Sequence, residues 1–147
     1  MSYRKTVVAV VYQNGQYLLV QKPHWKGKWD FPQGGREAQE RPKDTLLREV
    51  REELGTDNFG PPIDTRITAR VDFSSETMVH YPDRGFRGKD KHYFLLPFYG
   101  SKSEISLGDD LGDFRWCREE ELRLLLRPQP EGKLELILAA VKSQNHP

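Results

Sequence analysis

The stretch TVVAVVYQNGQYLLVQ, residues 6–21, constrains the fold more than any other part of the chain. Its apolar runs are rich in β-branched and aromatic residues, which suit a packed, pleated surface. Asn14-Gly15 stands between them. A two-residue type I′ turn needs positive φ at both central positions, and Asn-Gly meets that need at the lowest cost. The chain is therefore expected to begin with a β-hairpin whose first strand, Thr6 to Tyr12, is buried.

Further strands are expected at RITARVDF (66–73), HYFLLPFYG (92–100) and the short DFRWC (113–117). KPHWKGKWDFPQGG (22–35) reads as a loop punctuated by Pro23, Gly27, Pro32, Gly34 and Gly35. Pro42 stands where a helix can open and Gly55 where one would close. REEELRLLL (118–126) reads as a short helix broken by RPQPEG. KLELILAAVKS reads as a terminal amphipathic helix with Leu134, Ile137, Leu138 and Val141 on one side. Strands interrupted by one central helix and closed by terminal helices imply a layered α/β (α+β) domain over residues 1–147, without repeats or a linker.

Charge narrows the partners. The formal net charge is +1, so no global field draws the chain to nucleic acid (DNA or an extended RNA track) or to an anionic membrane. The N-terminal apolar run is too short for a membrane span. The single cysteine, Cys117, cannot form an internal disulfide, which suits a reducing cytoplasm.

The segment LLREVREELG, residues 46–55, concentrates carboxylates. On a helix, Leu47, Val50 and Leu54 share one stripe, while Glu49, Glu52 and Glu53 share another. The like charges repel, and the helix macrodipole disfavours anions at this C-terminal end. Arg48 can relieve part of that strain. A divalent cation would relieve more, and clustered carboxylate oxygens suit Mg²⁺ or Mn²⁺. A solvated acidic face is the other reading of these residues alone.

The wider spacing carries a resemblance. Gly34, five residues, Glu40, seven residues and then REVREELG (Arg48 to Gly55) match the box motif of the Nudix hydrolases. Val50 fills the motif's apolar position. The segment REAQE lacks the usual Pro-Gly before the box glutamate, and Thr56 replaces an aliphatic residue. The resemblance implies an α/β/α sandwich around a central curved mixed sheet, and hydrolysis of nucleoside diphosphate-linked substrates with Mg²⁺, or Mn²⁺, as cofactor. It implies that Glu49 and Glu53 are metal ligands and that Glu52 is a ligand or the general base. Gln33 would offer its carbonyl to metal. Glu40 and Arg48 would pin the loop to the helix, and Gly34 and Gly35 would permit a tight turn.

Other stretches resemble the diadenosine tetraphosphate hydrolases and RNA 5′-pyrophosphohydrolases. These are WDFPQGG (29–35), SYRKTV (2–7), HYPDRGFRGKDKHYFLL (80–96) and DDLGDFRWCREEEL (109–122). They imply substrate contacts from Arg4 and Tyr81 and a further metal-binding acid at Asp110. Lys89, Asp90, His92 and Tyr93 depart from that subgroup's pattern. The segment from Ser74 to His92 reads as a basic loop, with Arg87, Lys89 and Lys91 as phosphate donors. Lys22 ends a strand facing the same region. Trp29 is expected to pack beneath the loop, and Trp25 to be either exposed or a base platform. The expected reaction is asymmetric hydrolysis of a small-molecule dinucleoside polyphosphate to ATP and AMP. Removal of pyrophosphate from an RNA 5′ end, cleansing of damaged nucleoside triphosphates and a non-catalytic nucleotide sensor are the alternatives.

Overall fold

The computed structural model describes residues 2–75 and 85–144. The hairpin forms with β1 (Ser2–Gln13) and β2 (Gln16–Gln21). Asn14 and Gly15 have φ of 48° and 77°, as the turn requires. The remaining elements are β3 (Gln33–Gly35), α1 (Pro42–Leu54), β4 (Ile63–Asp72), β5 (Phe86–Pro97), a short 3₁₀ turn (Lys102–Glu104), β6 (Asp113–Cys117), α2 (Glu119–Leu125) and α3 (Lys133–Gln144).

The six strands make one mixed sheet in the order β4-β5-β1-β2-β6, with β3 added beside β1. β1 runs parallel to β5 from Tyr3↔Gly88 to Tyr12↔Pro97. Its antiparallel pairing with β2 is confined to Tyr12↔Tyr17 and Gln13↔Gln16. Beyond that point the two strands diverge. The segment leading into β3 fills the wedge: Val20 exchanges backbone bonds with Asp30, and the Ala9 amide donates to Pro32 at 2.8 Å. β3 then pairs with Thr6 to Val8. This divergence creates the opening in which the polar site lies.

Strand alternation divides the core into two layers. Val7, Ala9, Val11, Leu18, Val20, Phe94 and Leu96 meet Leu46, Val50 and Leu54 of α1. Val8, Val10, Tyr17, Leu19, Tyr93 and Leu95 meet Leu122 of α2 and Ile137, Leu138 and Val141 of α3. A central strand apolar on both faces is what a helix–sheet–helix sandwich needs. Trp29 and Cys117 are buried.

The structure corrects three expectations. Residues 33–35 are strand rather than loop, because the edge of β1 left free by β2 recruits them. Residues 86–92 are the first half of β5 rather than loop, because β1 and β4 pair with them on both sides. On α1, Leu46 is buried and Leu47 only partly so; the helix packs on the face centred between Leu46, Val50 and Leu54.

Leu138 is fully buried, whereas Leu136, two residues away on the same helix, is 53% exposed. Leu138→Ala should lower stability by about 2–5 kcal/mol, and Leu136→Ala by no more than about 0.5 kcal/mol. Urea midpoints measure both; equal losses would refute this account of how α3 packs.

Candidate active site

α1 begins with Pro42 in its first turn and ends at Gly55, which adopts φ 67° and donates its amide to the Arg51 carbonyl at 3.0 Å. The carbonyls of Leu54 and Glu53 would otherwise be unsatisfied. They accept from the amides of Ser106 and Gly108, both at 2.9 Å. That clamp fastens the loop carrying Asp109 and Asp110 to the acidic end of the helix.

The N-terminal end of the site is organised by Arg48. Its Nε donates to Glu40 Oε2 at 2.8 Å and its Nη2 to Glu40 Oε1 at 2.9 Å. Nη2 also reaches the Gly35 carbonyl at 3.2 Å. Nη1 meets Glu49 at 2.9 Å and Glu52 at 3.5 Å. Glu40 Oε1 accepts in addition from the Glu37 amide and the Thr45 hydroxyl. This fork holds the Glu40 carboxyl far below its usual range, at about 2.

Gly34 and Gly35 serve the site differently from the expected tight turn. Neither has positive φ. A Cβ on Gly34 would overlap the carboxyl end of Glu49, and a Cβ on Gly35 would overlap the Arg4 guanidinium. The glycines leave room for two functional side chains to cross β3. Gln39, directly before Glu40, takes φ 67°. It occupies the left-handed position for which the box motif usually carries glycine.

A small cleft of about 90 Å³ lies beside β3. Arg4, Lys22, Gln33, Glu53 and Lys89 line it together with Trp25. Lys89 Nζ donates to Gln33 Oε1 at 3.2 Å. Burial pulls the Lys89 ammonium down to about 8, and the neighbouring Lys22 and Lys91 charges add to the effect. Glu53 shows the opposite response: burial pushes its carboxyl up to about 8, reinforced by Glu49 and Asp110 and opposed by Lys22. Among the described residues, its Oε2 is buried without a hydrogen-bond partner. Glu49 is also raised, by burial first, with Arg48 opposing. Glu52 is exposed.

Among the described residues, no three His, Cys, Asp or Glu side chains converge on one point that could hold a metal. Arg48 holds Glu49 and Glu52, while Glu53 faces Asp110 across the clamp. The donor set nevertheless fits a hard cation. It is all oxygen, one oxygen is buried and unpartnered among the described residues, and the neighbouring carboxylates help push the Glu53 carboxyl up.

Not every expected site residue gathers here. Arg87 lies at the start of β5, its guanidinium 5.4 Å from the Tyr3 ring. Lys91 is buried and donates to Gln129 Oε1 at 3.1 Å, beneath the loop between α2 and α3. Neither lines the cleft. Tyr81 lies outside the described residues. Thr6, Phe31 and Leu111 line the cleft without having been anticipated. Thr6 could have been found from Arg4, since residues two apart on a strand share a face.

A NUDIX domain match spans residues 2–139. The chain belongs to the Nudix family. It is 33% identical over 117 residues to an RNA pyrophosphohydrolase of Caulobacter vibrioides, covering 76% of this chain and 68% of that one. Two solved Nudix folds share the architecture, each with a TM-score of 0.72. The E. coli dihydroneopterin triphosphate pyrophosphohydrolase is 19% identical over 87% of this chain and 90% of its own. A C. elegans Ap4A hydrolase is 17% identical over 95% and 98%. The chain is thus a Nudix hydrolase acting on pyrophosphate bonds.

Gln39→Gly should stabilise the protein, by up to about 1–2 kcal/mol, through release of left-handed strain; a lower melting temperature would refute the strain. Glu40 falls from an ordinary 4.5 to about 2 on folding. Its contribution is therefore complete above pH 4.5 and lost as pH falls towards 2. The stability gap between the wild type and Glu40→Gln, followed by thermal melts, should be widest above that window and shrink through it. A constant gap would remove the ion pair as its source.

Proposed function

We propose that the chain removes pyrophosphate from the 5′-triphosphate end of RNA, with Mg²⁺, or Mn²⁺, held by Glu49, Glu53 and Asp110 and by the Gln33 carbonyl. One observation carries this reading: Glu53, with one carboxylate oxygen buried and unpartnered among the described residues, lines a cleft that also holds Arg4, Lys22 and Lys89. Carboxylates on one side and cations on the other are what a metal–polyphosphate complex requires. The choice of RNA rests on the Caulobacter vibrioides relative.

A divalent cation, when bound, neutralises phosphate charge and polarises the anhydride linkage. The chain's own residues supply the rest. Arg4, Lys22 and Lys89 grip non-bridging phosphate oxygens. The Trp25 indole, with the Arg127 guanidinium 4.8 Å from its ring, offers a flat wall for a base. Glu52, exposed and only weakly held by Arg48, accepts the proton of the attacking water. The cytoplasm is the compartment that this substrate and a free, buried Cys117 both suit.

Asymmetric cleavage of diadenosine tetraphosphate is the second reading. The net charge of +1 and the small cleft favour a compact substrate. Incubation with each substrate and Mg²⁺, followed by ion-exchange chromatography, separates the two. Pyrophosphate and 5′-monophosphorylated RNA support the first; ATP plus AMP without RNA turnover would replace it. EDTA should abolish the reaction and excess Mg²⁺ restore it. Glu52→Gln should cut turnover by about 10²–10⁴-fold with an unchanged melting temperature; an unchanged rate would exclude Glu52 as the base.

A further inference from the structure

A second cavity lies apart from the cleft. It has a volume of about 430 Å³ and lies where β1, β4 and β5 meet the start of α1. Lys5, Arg36 and Arg70 line it, together with the carboxylate of Asp90 and the imidazole of His92. Lys91 also borders it, but its ammonium is committed to Gln129. Asp90 accepts from Lys5 at 3.1 Å and from Arg70 at 2.7 and 3.1 Å. His92 is bonded to Asp64 at 2.6 Å. Among the lining side chains one carboxylate stands with Lys5, Arg36 and Arg70, while Asp64 behind His92 and Asp72 beside Tyr3 reduce the positive excess without cancelling it.

The cavity has an apolar floor at Val7, Ala69 and Pro42. Next to it the Tyr3 ring carries two guanidinium groups, Arg70 at 4.0 Å and Arg87 at 5.4 Å. Exposed cations interleaved with an aromatic ring suit a single-stranded polynucleotide, whose phosphates and bases alternate in the same way. The position also fits. Thr6 borders both this groove and the catalytic cleft, and Arg36 directly follows Gly35, which lines the cleft. A dinucleoside polyphosphate filling the cleft has no phosphate left over for a second basic groove. An RNA strand has one at every further nucleotide.

We propose that this groove is a secondary RNA-binding surface. It takes the backbone phosphates of nucleotides downstream of a 5′ end held in the catalytic cleft, through Lys5, Arg36 and Arg70. The inference rests on the RNA reading given above.

The test is binding, measured without turnover. Fluorescence anisotropy compares a labelled 5′-monophosphorylated dinucleotide with a single-stranded RNA of roughly 12 nucleotides, a length that one such track covers. The full-length protein and a Lys5→Gln/Arg70→Gln double variant are compared, each checked by melting temperature. The longer RNA should bind the wild type at least about ten-fold tighter, with a steeper salt dependence that flattens by roughly 0.7 in log–log slope for each cation removed. The double variant should lose that preference and keep its dinucleotide affinity. Equal affinity for both lengths, a preference that survives in the double variant, or tighter binding of poly-glutamate than of RNA would each overturn the groove. Hydrolysis is scored separately: length-dependent binding without RNA cleavage would fail the catalytic reading and leave the surface standing. Should the double variant melt early, Arg36→Gln alone supplies the same comparison.

Discussion

The guanidinium of Arg48 is the contact on which the site depends. It is planar, always charged and able to donate in several directions at once. It uses that capacity on four different groups: both oxygens of Glu40, the Gly35 carbonyl, and the carboxylates of Glu49 and Glu52. These belong to the loop before α1, to β3 and to α1 itself. One side chain therefore joins the three segments that must keep register for the box glutamates to stand beside β3. A lysine has the charge but not the fork, and could not hold Glu40 by both oxygens while still reaching Gly35.

What Arg48 fixes, the sheet makes room for. β2 abandons β1 after two residue pairs, and the vacated edge is taken by three residues with almost no strand propensity of their own. That is why β3 was illegible in the sequence. Gln33, Gly34 and Gly35, directly after Pro32, read as loop by every local rule, and only the unpaired edge of β1 makes a strand of them. The same holds for the first half of β5. Arg87, Lys89 and Lys91 look like a solvated basic run, but pairing on both sides overrides composition. Once they are strand residues, position along the strand decides their roles. Lys89 reaches the cleft and Gln33; Lys91, on the same face one step further in, is covered by Gln129. By contrast the hairpin and α1 were legible, because Asn14-Gly15, Pro42 and Gly55 act through local backbone geometry. The box spacing revealed the family for a related reason. Gly34 and Gly35 are needed because Glu49 and Arg4 cross them, and that requirement leaves a mark at a set distance from the helix.

The three box glutamates sit in three different environments, and this bears on the repulsion inherent in LLREVREELG. Glu49 is neutralised in place by Arg48. Glu52 is left in water, where screening is strong. Glu53 is half-buried near Glu49 and Asp110 with one carboxylate oxygen fully covered, and burial pushes its carboxyl towards the protonated form. Glu49 is raised too, with Arg48 opposing, but Glu53 is pushed furthest. The backbone clamp from Ser106 and Gly108 keeps it there, since those amides bind the carbonyls of the very turn that carries it. The strain is concentrated at one carboxylate rather than spread over the helix, and that carboxylate is the one facing Lys22 and the cleft. A divalent cation would supply at that position positive charge beyond what Lys22 provides, and could in turn hold the anionic polyphosphate.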